Sequence, residues 1–359
     1  MGRDKWDEAC NSFPDYYLNH SSYFLRYLEL SFSVRNYSFG IFDDSLNEWV
    51  ALCPVFIENA TFGNETFASL SIGGGPLPIP LVRKKRGLNQ YKRDFERVMD
   101  SLNVIYDQYR VARVLYKTYA MTTSGLPTTQ AEFFFPLSQS FSLLPCSNFI
   151  ADLTQPKEIL EDRLSKSHAK KIKVSQTKGQ TVLAIDSSSN HQLIDLEFEA
   201  YKRAHILASG RQTRPDESFN SMRLLIHSGI GVLFVTKLGQ QGLSYLYCDT
   251  RGKMARGWSQ ANDKNAEKEH SPRHFLEWSA MLYFKSRGVS FYEIGSRAIP
   301  AQFGVDFNEK LVGISDFKER FGASEYPEAF FEKILDPKLS LILGQERLSR
   351  LIGAKNEIH

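Results

Sequence analysis

Three runs decide the fold: Gly231 to Leu238 (GVLFVTKL), Leu243 to Asp249 (LSYLYCD) and Met254 to Gln260 (MARGWSQ). β-Branched and aromatic residues recur in them, as a pleated ladder favours. The first two are joined by Gly239-Gln240-Gln241-Gly242 and the last two by Thr250-Arg251-Gly252-Lys253. Glycine-bearing connections this short close hairpins, so the three runs read as an antiparallel meander. A helix comes next. Ser271 is placed as its N-cap, Pro272 takes the first helical position, where a missing N–H is harmless, and Gly288 follows the last turn. Phe275, Trp278 and Leu282 have the spacing of one buried stripe, and Val289 to Ile294 reads as the next strand.

Upstream of the meander the order is strand (Phe149 to Leu153), a helix opening at Gln155-Pro156, and a helix from about Ser167 to Lys178 stopped by Gly179. A strand at Thr181 to Ile185 and a long helix from Asn190 to Ala208 follow, then a polar loop from Ser209 to Ser218. The first third is strand-rich, with β-like runs at Phe39 to Phe42, Glu48 to Ile57 and Phe67 to Ile72. Ser21 to Leu30 has helical spacing, Leu77-Pro78-Ile79-Pro80 must be loop or extended, a helix spans Asn89 to Gln108, and a strand spans Val111 to Tyr116. Ser138 to Ser147 reads as the crossing to a second domain, and Pro327 to Leu351 as a helical segment packing back on the first.

At 359 residues the chain is too long for one ordinary core and suits two of about 150 residues each. A net charge of +3 is too small to argue for nucleic acid on its own. Cys10, Cys53, Cys146 and Cys248 lie far apart, with no CxxC pair and no His at ligand spacing, and read as reduced structural thiols. No metal site is expected. No run approaches the ~18 apolar residues of a membrane span, and Met1 to Glu8 lacks the apolar stretch of a signal peptide. The expected compartment is the cytoplasm, with no integral membrane segment.

Helices, a three-stranded meander, a helix and a further strand form the order of an acetyltransferase-type (GNAT) domain. Three motifs add to it. Leu164-Ser165-Lys166-Ser167-His168-Ala169-Lys170-Lys171-Ile172-Lys173 with Gly179 resembles the basic helix pair of Fem-type aminoacyltransferases and their polysaccharide-biosynthesis relatives. Arg287 to Ser296, with Tyr292-Glu293-Ile294-Gly295, stands where that family has a Tyr-Asp-Phe-Gly type motif, and Phe317-Lys318-Glu319-Arg320-Phe321-Gly322 is similar to its Phe-Lys-x-x-Phe-Gly. Tyr16-Tyr17 and Gly74-Gly75-Pro76-Leu77 resemble its N-terminal domain more loosely. The resemblance implies a mixed α/β (α+β) chain of two tandem GNAT-like domains with a cleft between them: residues 1–147, completed by a C-terminal helix at 327–351, and residues 148–326.

It also implies acyl or aminoacyl transfer from an activated donor, aminoacyl-tRNA or acyl-coenzyme A, to an amine on a cell-envelope glycan or nucleotide-sugar precursor. No cofactor need be tightly bound. The chain shows no nucleophile elbow, Cys/His pair or metal cluster, so direct transfer in a ternary complex fits better than a covalent intermediate. The stretch from Asn262 to Ser271 holds no glycine, unlike the turn that cradles the coenzyme A pyrophosphate at a helix N-terminus in ordinary GNAT enzymes.

Lys318 is the lysine that the resemblance gives to the transfer step, where a cation stabilises an oxyanion or holds a phosphate; otherwise Phe317 and Phe321, at i and i+4, are packing anchors and Lys318 is solvated. Glu293 accepts the proton of the attacking amine, or pairs with Arg297 as a structural ion pair. Strand alternation sends Tyr292 to the other face from Glu293, and Tyr292 and Arg297 are taken as substrate-binding candidates. Lys166, Lys170 and Lys173 make one cationic helix face for RNA, a sugar nucleotide or coenzyme A phosphates, or a merely solvated one. Arg83-Lys84-Lys85-Arg86 is a second such patch, Arg211 and Arg214 are candidates for gripping an anionic acceptor, and His270 and His274 flank the Pro272 helix. Two rival readings remain: a silent GNAT-like module that binds a nucleotide sugar or a partner protein, and an RNA-binding protein.

Overall fold

The structure, a computed structural model, describes residues 2–32, 34–84, 87–125, 136–298 and 309–356. In chain order the first half contributes α1 (Arg3–Cys10), a 3-10 turn (Leu18–His20), α2 (Ser22–Ser31), β1 (Arg35–Asn36), β2 (Phe39–Asp43), β3 (Glu48–Cys53), β4 (Phe56–Phe62), β5 (Glu65–Leu70), β6 (Leu77–Pro78), β7 (Leu81–Val82), α3 (Leu88–Tyr109) and β8 (Val111–Lys117). The second contributes β9 (Ser142–Asp152), α4 (Lys157–Arg163), α5 (Lys166–Thr177), β10 (Thr181–Ile185), α6 (His191–Ser209), α7 (Asp216–His227), β11 (Gly231–Leu238), β12 (Gln241–Arg251), β13 (Met254–Asn262), α8 (Lys264–His270), α9 (Pro272–Ser286), β14 (Phe291–Ser296), α10 (Glu309–Glu319), β15 (Ser324–Ile334) and α11 (Pro337–Asn356).

The mixed α/β fold is organised on one twelve-stranded sheet, in the order β1-β4-β5-β8-β15-β9-β14-β13-β12-β11-β10, with β6 beside β8. Each half repeats one device: antiparallel hairpins lead to a parallel pairing, β5 and the short β6 on β8 in the first and β13 on β14 in the second. Glu48 to Ile57 is not one strand. Pro54 lacks the N–H a ladder needs, and the chain switches sheets there: β3 joins β2 and β7, while β4 enters the large sheet. The loop expected from Ser209 to Ser218 gives way at Asp216 to α7, whose Phe219, Met222, Leu225 and Ile226 are buried at helical spacing.

The largest correction concerns residues 327–351. Residues 324–334 form β15, laid between β8 and β9, and the helix begins only at Pro337. Charges at Glu325, Glu328, Glu332 and Lys333 mimic a helical polar face. Two of those carboxylates are instead buried against cations from the first half: Glu328 on Lys117 at 2.7 Å, and Glu332 on Arg113 at 2.8 Å. Pro327 is tolerated because the β8 ladder starts only at Phe330. α11 lays Leu339 and Leu343 against Ala112, Phe62 and Phe67. β9 itself starts at Ser142, so the crossing between halves is made by a strand, and the 147/148 division falls inside it.

Ser271 precedes α9 in the left-handed region (φ 49°) and makes no side-chain cap, while Pro272 does occupy the first turn. The helix is buried on most of its circumference, through His274, Leu276, Glu277, Trp278, Ala280, Met281 and Phe284, so Phe275 and Leu282 are only partly covered. It is sandwiched between the β10–β12 sheet and α5.

Two of the sequence motifs turn out to be one structural unit. The Ser165 amide donates to the Arg320 carbonyl at 3.0 Å, the Ser165 hydroxyl caps His168, and His168 Nε2 meets the Phe317 carbonyl at 3.0 Å. Gly322 closes the contact at φ 74°, where an added Cβ would stand 2.4 Å from Arg163 Cβ and 2.7 Å from its carbonyl oxygen. Gly322→Ala is therefore expected to destabilise by about 1–3 kcal/mol, the usual scale of such backbone strain, read as a lower urea midpoint. An unchanged midpoint would mean that the Arg163 turn yields freely.

Candidate active site

The ladder between β13 and β14 is only three residues long, Met254 to Arg256 against Phe291 to Glu293. Beyond it the two parallel strands part. A bulge at Trp258 on β13 and a register shift between Glu293 and Gly295 on β14 reinforce the parting. Such an opening leaves backbone N–H groups outside any ladder, in the form an acyl oxygen can use.

Glu293 lies buried at the mouth of this opening, where the two halves meet. Its carboxylate accepts a 2.6 Å hydrogen bond from Tyr17 of the first half. The Tyr17 ring stacks on Tyr119 at 3.9 Å and 7°, and Asn19 donates to the Tyr119 hydroxyl at 2.6 Å. Arg256 holds Asp249 with two hydrogen bonds of 2.9 and 2.6 Å and turns its third nitrogen to Asn19 and Tyr17. Behind them Glu328 gathers Lys117, the Asn148 amide at 2.6 Å and the Ala120 N–H at 3.0 Å. Burial and then the Glu328 charge raise the Glu293 pKa, against Arg256, Lys117 and the Tyr17 hydrogen bond. Burial alone would discharge Lys117, but Glu328 more than reverses that and holds it protonated.

Lys318 does not point freely into solvent. It is half-buried and crosses Gly295 to donate to the Ser296 carbonyl at 2.9 Å. At Gly295, φ is 129°, a conformation that favours glycine, and an added Cβ would lie 2.8 Å from Nζ and displace the lysine. Burial lowers the Lys318 pKa, opposed first by Glu293 and then by Glu277. Phe317 and Phe321 are core anchors: they meet at 5.1 Å and pack on His168 and His274.

The remaining sequence candidates separate. Tyr292 is fully buried, facing away from Glu293, with its hydroxyl 2.7 Å from Glu277; it reaches no surface and cannot touch a substrate. Arg297 pairs with Glu325 at 2.5 Å and Glu319 at 3.7 Å, not with Glu293. Arg214 is bound by Tyr27 and His205 and fastens α2 to α6, whereas Arg211 is exposed. Lys166, Lys170 and Lys173 all face solvent on α5. The second basic patch breaks up: Arg83 is buried against Asp94 at 2.7 Å, Lys84 pairs with Asp15, and Lys85 and Arg86 lie outside the described residues. His270 stays at the surface beside Glu269, and His274 is buried. Sequence reasoning passed over Asn19, Lys117, Tyr119, Asn148, Asp249, Arg256 and Glu328. For Lys117, Asp249, Arg256 and Glu328 the available signal was an ionisable residue inside an otherwise apolar strand.

His20, His168 and His205 have pKa values lowered to about 4 and His274 to about 3, each chiefly by burial. They stay neutral in the folded chain while the unfolded chain takes up protons below about 6.5. Stability is therefore lost as the pH falls from about 6.5 toward 4, by about 1.4 kcal/mol per unit of depression. Glu277, raised to about 7 by burial, works the other way, since it holds its proton in the fold where the free side chain has lost it. Glu267 and Glu293, also raised by burial, add to Glu277 on that side. The four histidines outweigh these three carboxyls, so the urea midpoint is expected to be lower at pH 5 than at pH 7. A level midpoint would show that these rings protonate in place.

No helix among the described residues is long and apolar enough to cross a membrane, and none of their His, Cys, Asp and Glu side chains group to hold a metal ion. No protein-family model and no curated protein matches the sequence. Solved structures do match. FemX aligns over 96% of this chain and 98% of its own at TM-score 0.68 and 14% identity. L-PGS from Bacillus licheniformis aligns over 96% of both chains at TM-score 0.57 and 10% identity. The C-terminal domain of an Agrobacterium fabrum protein named for lysylphosphatidylglycerol synthesis covers 98% of both at TM-score 0.56 and 11% identity. At such identities the likeness is one of backbone course. The chain shares the backbone fold of FemX, with its two halves on one continuous sheet.

Proposed function

We propose that the chain is an acyltransferase that moves an acyl or aminoacyl group from an activated donor, aminoacyl-tRNA or acyl-coenzyme A, to an amine. The observation that carries this is the opening between β13 and β14, with the buried Glu293 and the half-buried Lys318 at its mouth. Donor and acceptor meet where residues 1–147 join residues 148–326. Glu293, with its raised pKa, takes a proton from the acceptor ammonium. The freed amine attacks the acyl carbonyl, and Lys318 and unladdered backbone N–H groups stabilise the oxyanion. On collapse the C–O or C–S bond of the donor breaks, the second amine proton passes to the leaving atom, and the ribose hydroxyl or thiol departs. Cys10, Cys53, Cys146 and Cys248 are buried, and burial pushes their thiol pKa values up, so none is a ready nucleophile. That favours direct transfer in a ternary complex. The exposed Lys166, Lys170 and Lys173, with Arg211, are assigned to the phosphates of the donor or acceptor.

The acceptor in this reading is a cell-envelope glycan or nucleotide-sugar precursor, modified in the cytoplasm. Thermal-shift measurements with aminoacyl-tRNA and acyl-coenzyme A, followed by mass spectrometry of amino-sugar, nucleotide-sugar and phosphatidylglycerol acceptors, test it. A stabilising donor and a new acyl mass on one acceptor are expected. No shift with either donor and no added mass would leave the silent binding module instead.

A further inference from the structure

The Fem-like motifs lie in the second half of the chain, yet the group that touches the Glu293 carboxylate comes from residue 17. We propose that Tyr17 is a positioning residue for Glu293: its hydroxyl, delivered by the first half, aims the carboxylate and supports its charged form. The proposal rests on the acyltransferase reading for its catalytic meaning, but its geometry does not.

Three observations carry it. The Tyr17 hydroxyl is 2.6 Å from Glu293 Oε2, and the tyrosine is buried. Its ring cannot swing away, because it is stacked flat on Tyr119, which Asn19 holds in turn. The backbone below it is pinned too: His20 Nδ1 accepts from the Tyr17 N–H at 3.2 Å, and His20 Nε2 meets the Ile79 carbonyl at 2.8 Å. A phenol fixed in this way gives one donated hydrogen bond in one direction, and such a bond favours the ionised carboxylate.

The other charged groups around Glu293 are already engaged. Arg256 from β13 is bidentate on Asp249 from β12, and Lys117 from β8 is paired with Glu328 from β15. Lys318 from α10 donates to a carbonyl. Tyr17 therefore supplies what these pairs do not, an uncommitted donor at the carboxylate itself. The base is carried by one half and tuned by the other, so transfer requires the two halves to be docked.

The test compares wild type with Tyr17→Phe, which keeps the stacked ring and removes only the hydroxyl. The acid limb of the pH–rate profile is expected to move up by about one pH unit, so that activity falls about tenfold on that limb and recovers toward higher pH. A second arm needs no substrate. The urea-midpoint deficit of Tyr17→Phe is expected to be larger at pH 8 than at pH 5, because the hydrogen bond favours the ionised carboxylate, and to lose that pH dependence in a Glu293→Gln background. An unmoved acid limb together with equal deficits at both pH values overturns the positioning role. If wild type transfers no acyl group while the unfolding arm behaves as described, the acyltransferase reading falls and the Tyr17–Glu293 coupling stands.

Discussion

Lys318→Ala is expected to lower kcat by about 10²–10³-fold, the usual loss when one preorganised oxyanion donor is removed, with less than a twofold change in donor affinity. The lysine's one hydrogen bond goes to a carbonyl, and Glu293 keeps Arg256, Lys117 and Tyr17 when the lysine is truncated. Stability should accordingly fall by no more than about 1 kcal/mol, the scale of one net hydrogen bond. Separating the two readouts is the point of the variant: activity lost with the urea midpoint kept assigns Lys318 to transfer. Activity kept would return the lysine to a purely structural link between α10 and the end of β14. Assays run with whichever donor stabilises the protein decide between the two.

Glu328→Ala is expected to cost about 3 kcal/mol, the largest stability effect foreseen from a single side chain here, because it leaves the largely covered Lys117 unpaired. The same carboxylate also receives Asn148 and the Ala120 N–H, so three elements lose a partner together. β15 lies between β8 and β9 and joins the halves of the sheet. The loss should therefore appear as earlier separation of the halves, seen as faster hydrogen exchange along β8 and β9. A double variant, Lys117→Met with Glu328→Leu, should recover most of the stability, since a well-packed apolar pair replaces a buried ion pair at little cost. If Glu328→Ala unfolds at the wild-type urea concentration, the pair is not what holds the seam.

What could be read in advance depended on whether neighbours in sequence carried the signal. The meander of β11, β12 and β13 was legible because its turns are local and its strands contain their own β-formers. The same holds for α6 and α9, where Gly210 and Gly288 mark the ends. Misreadings fell where a distant partner overrode the local pattern. β15 has the charge spacing of a helix, and only Lys117 and Arg113, more than two hundred residues earlier, make its buried glutamates tolerable. α7 was hidden behind a polar start, Pro215-Asp216-Glu217, which caps a helix as readily as it fills a loop.

The site divides along the same line. The sequence alone determined the parts that depend on local order: the Fem-like course of the second half, Glu293 and Tyr292 on opposite faces of one strand, and Lys318 between two phenylalanines. Only the tertiary structure decided that Gly295 makes room for that lysine, that Tyr292 is core, and that Arg297 serves Glu325 instead of Glu293. It also brought Tyr17, Lys117, Arg256 and Glu328 around Glu293. The physical reason is that a buried charge is tolerated only with a partner in place, and the partners of Glu293 come from β8, β13 and the loop before residue 18, while β15 supplies Glu328 as the partner of Lys117. Their meeting is a property of how the two halves close on one sheet, which no local window of residues contains.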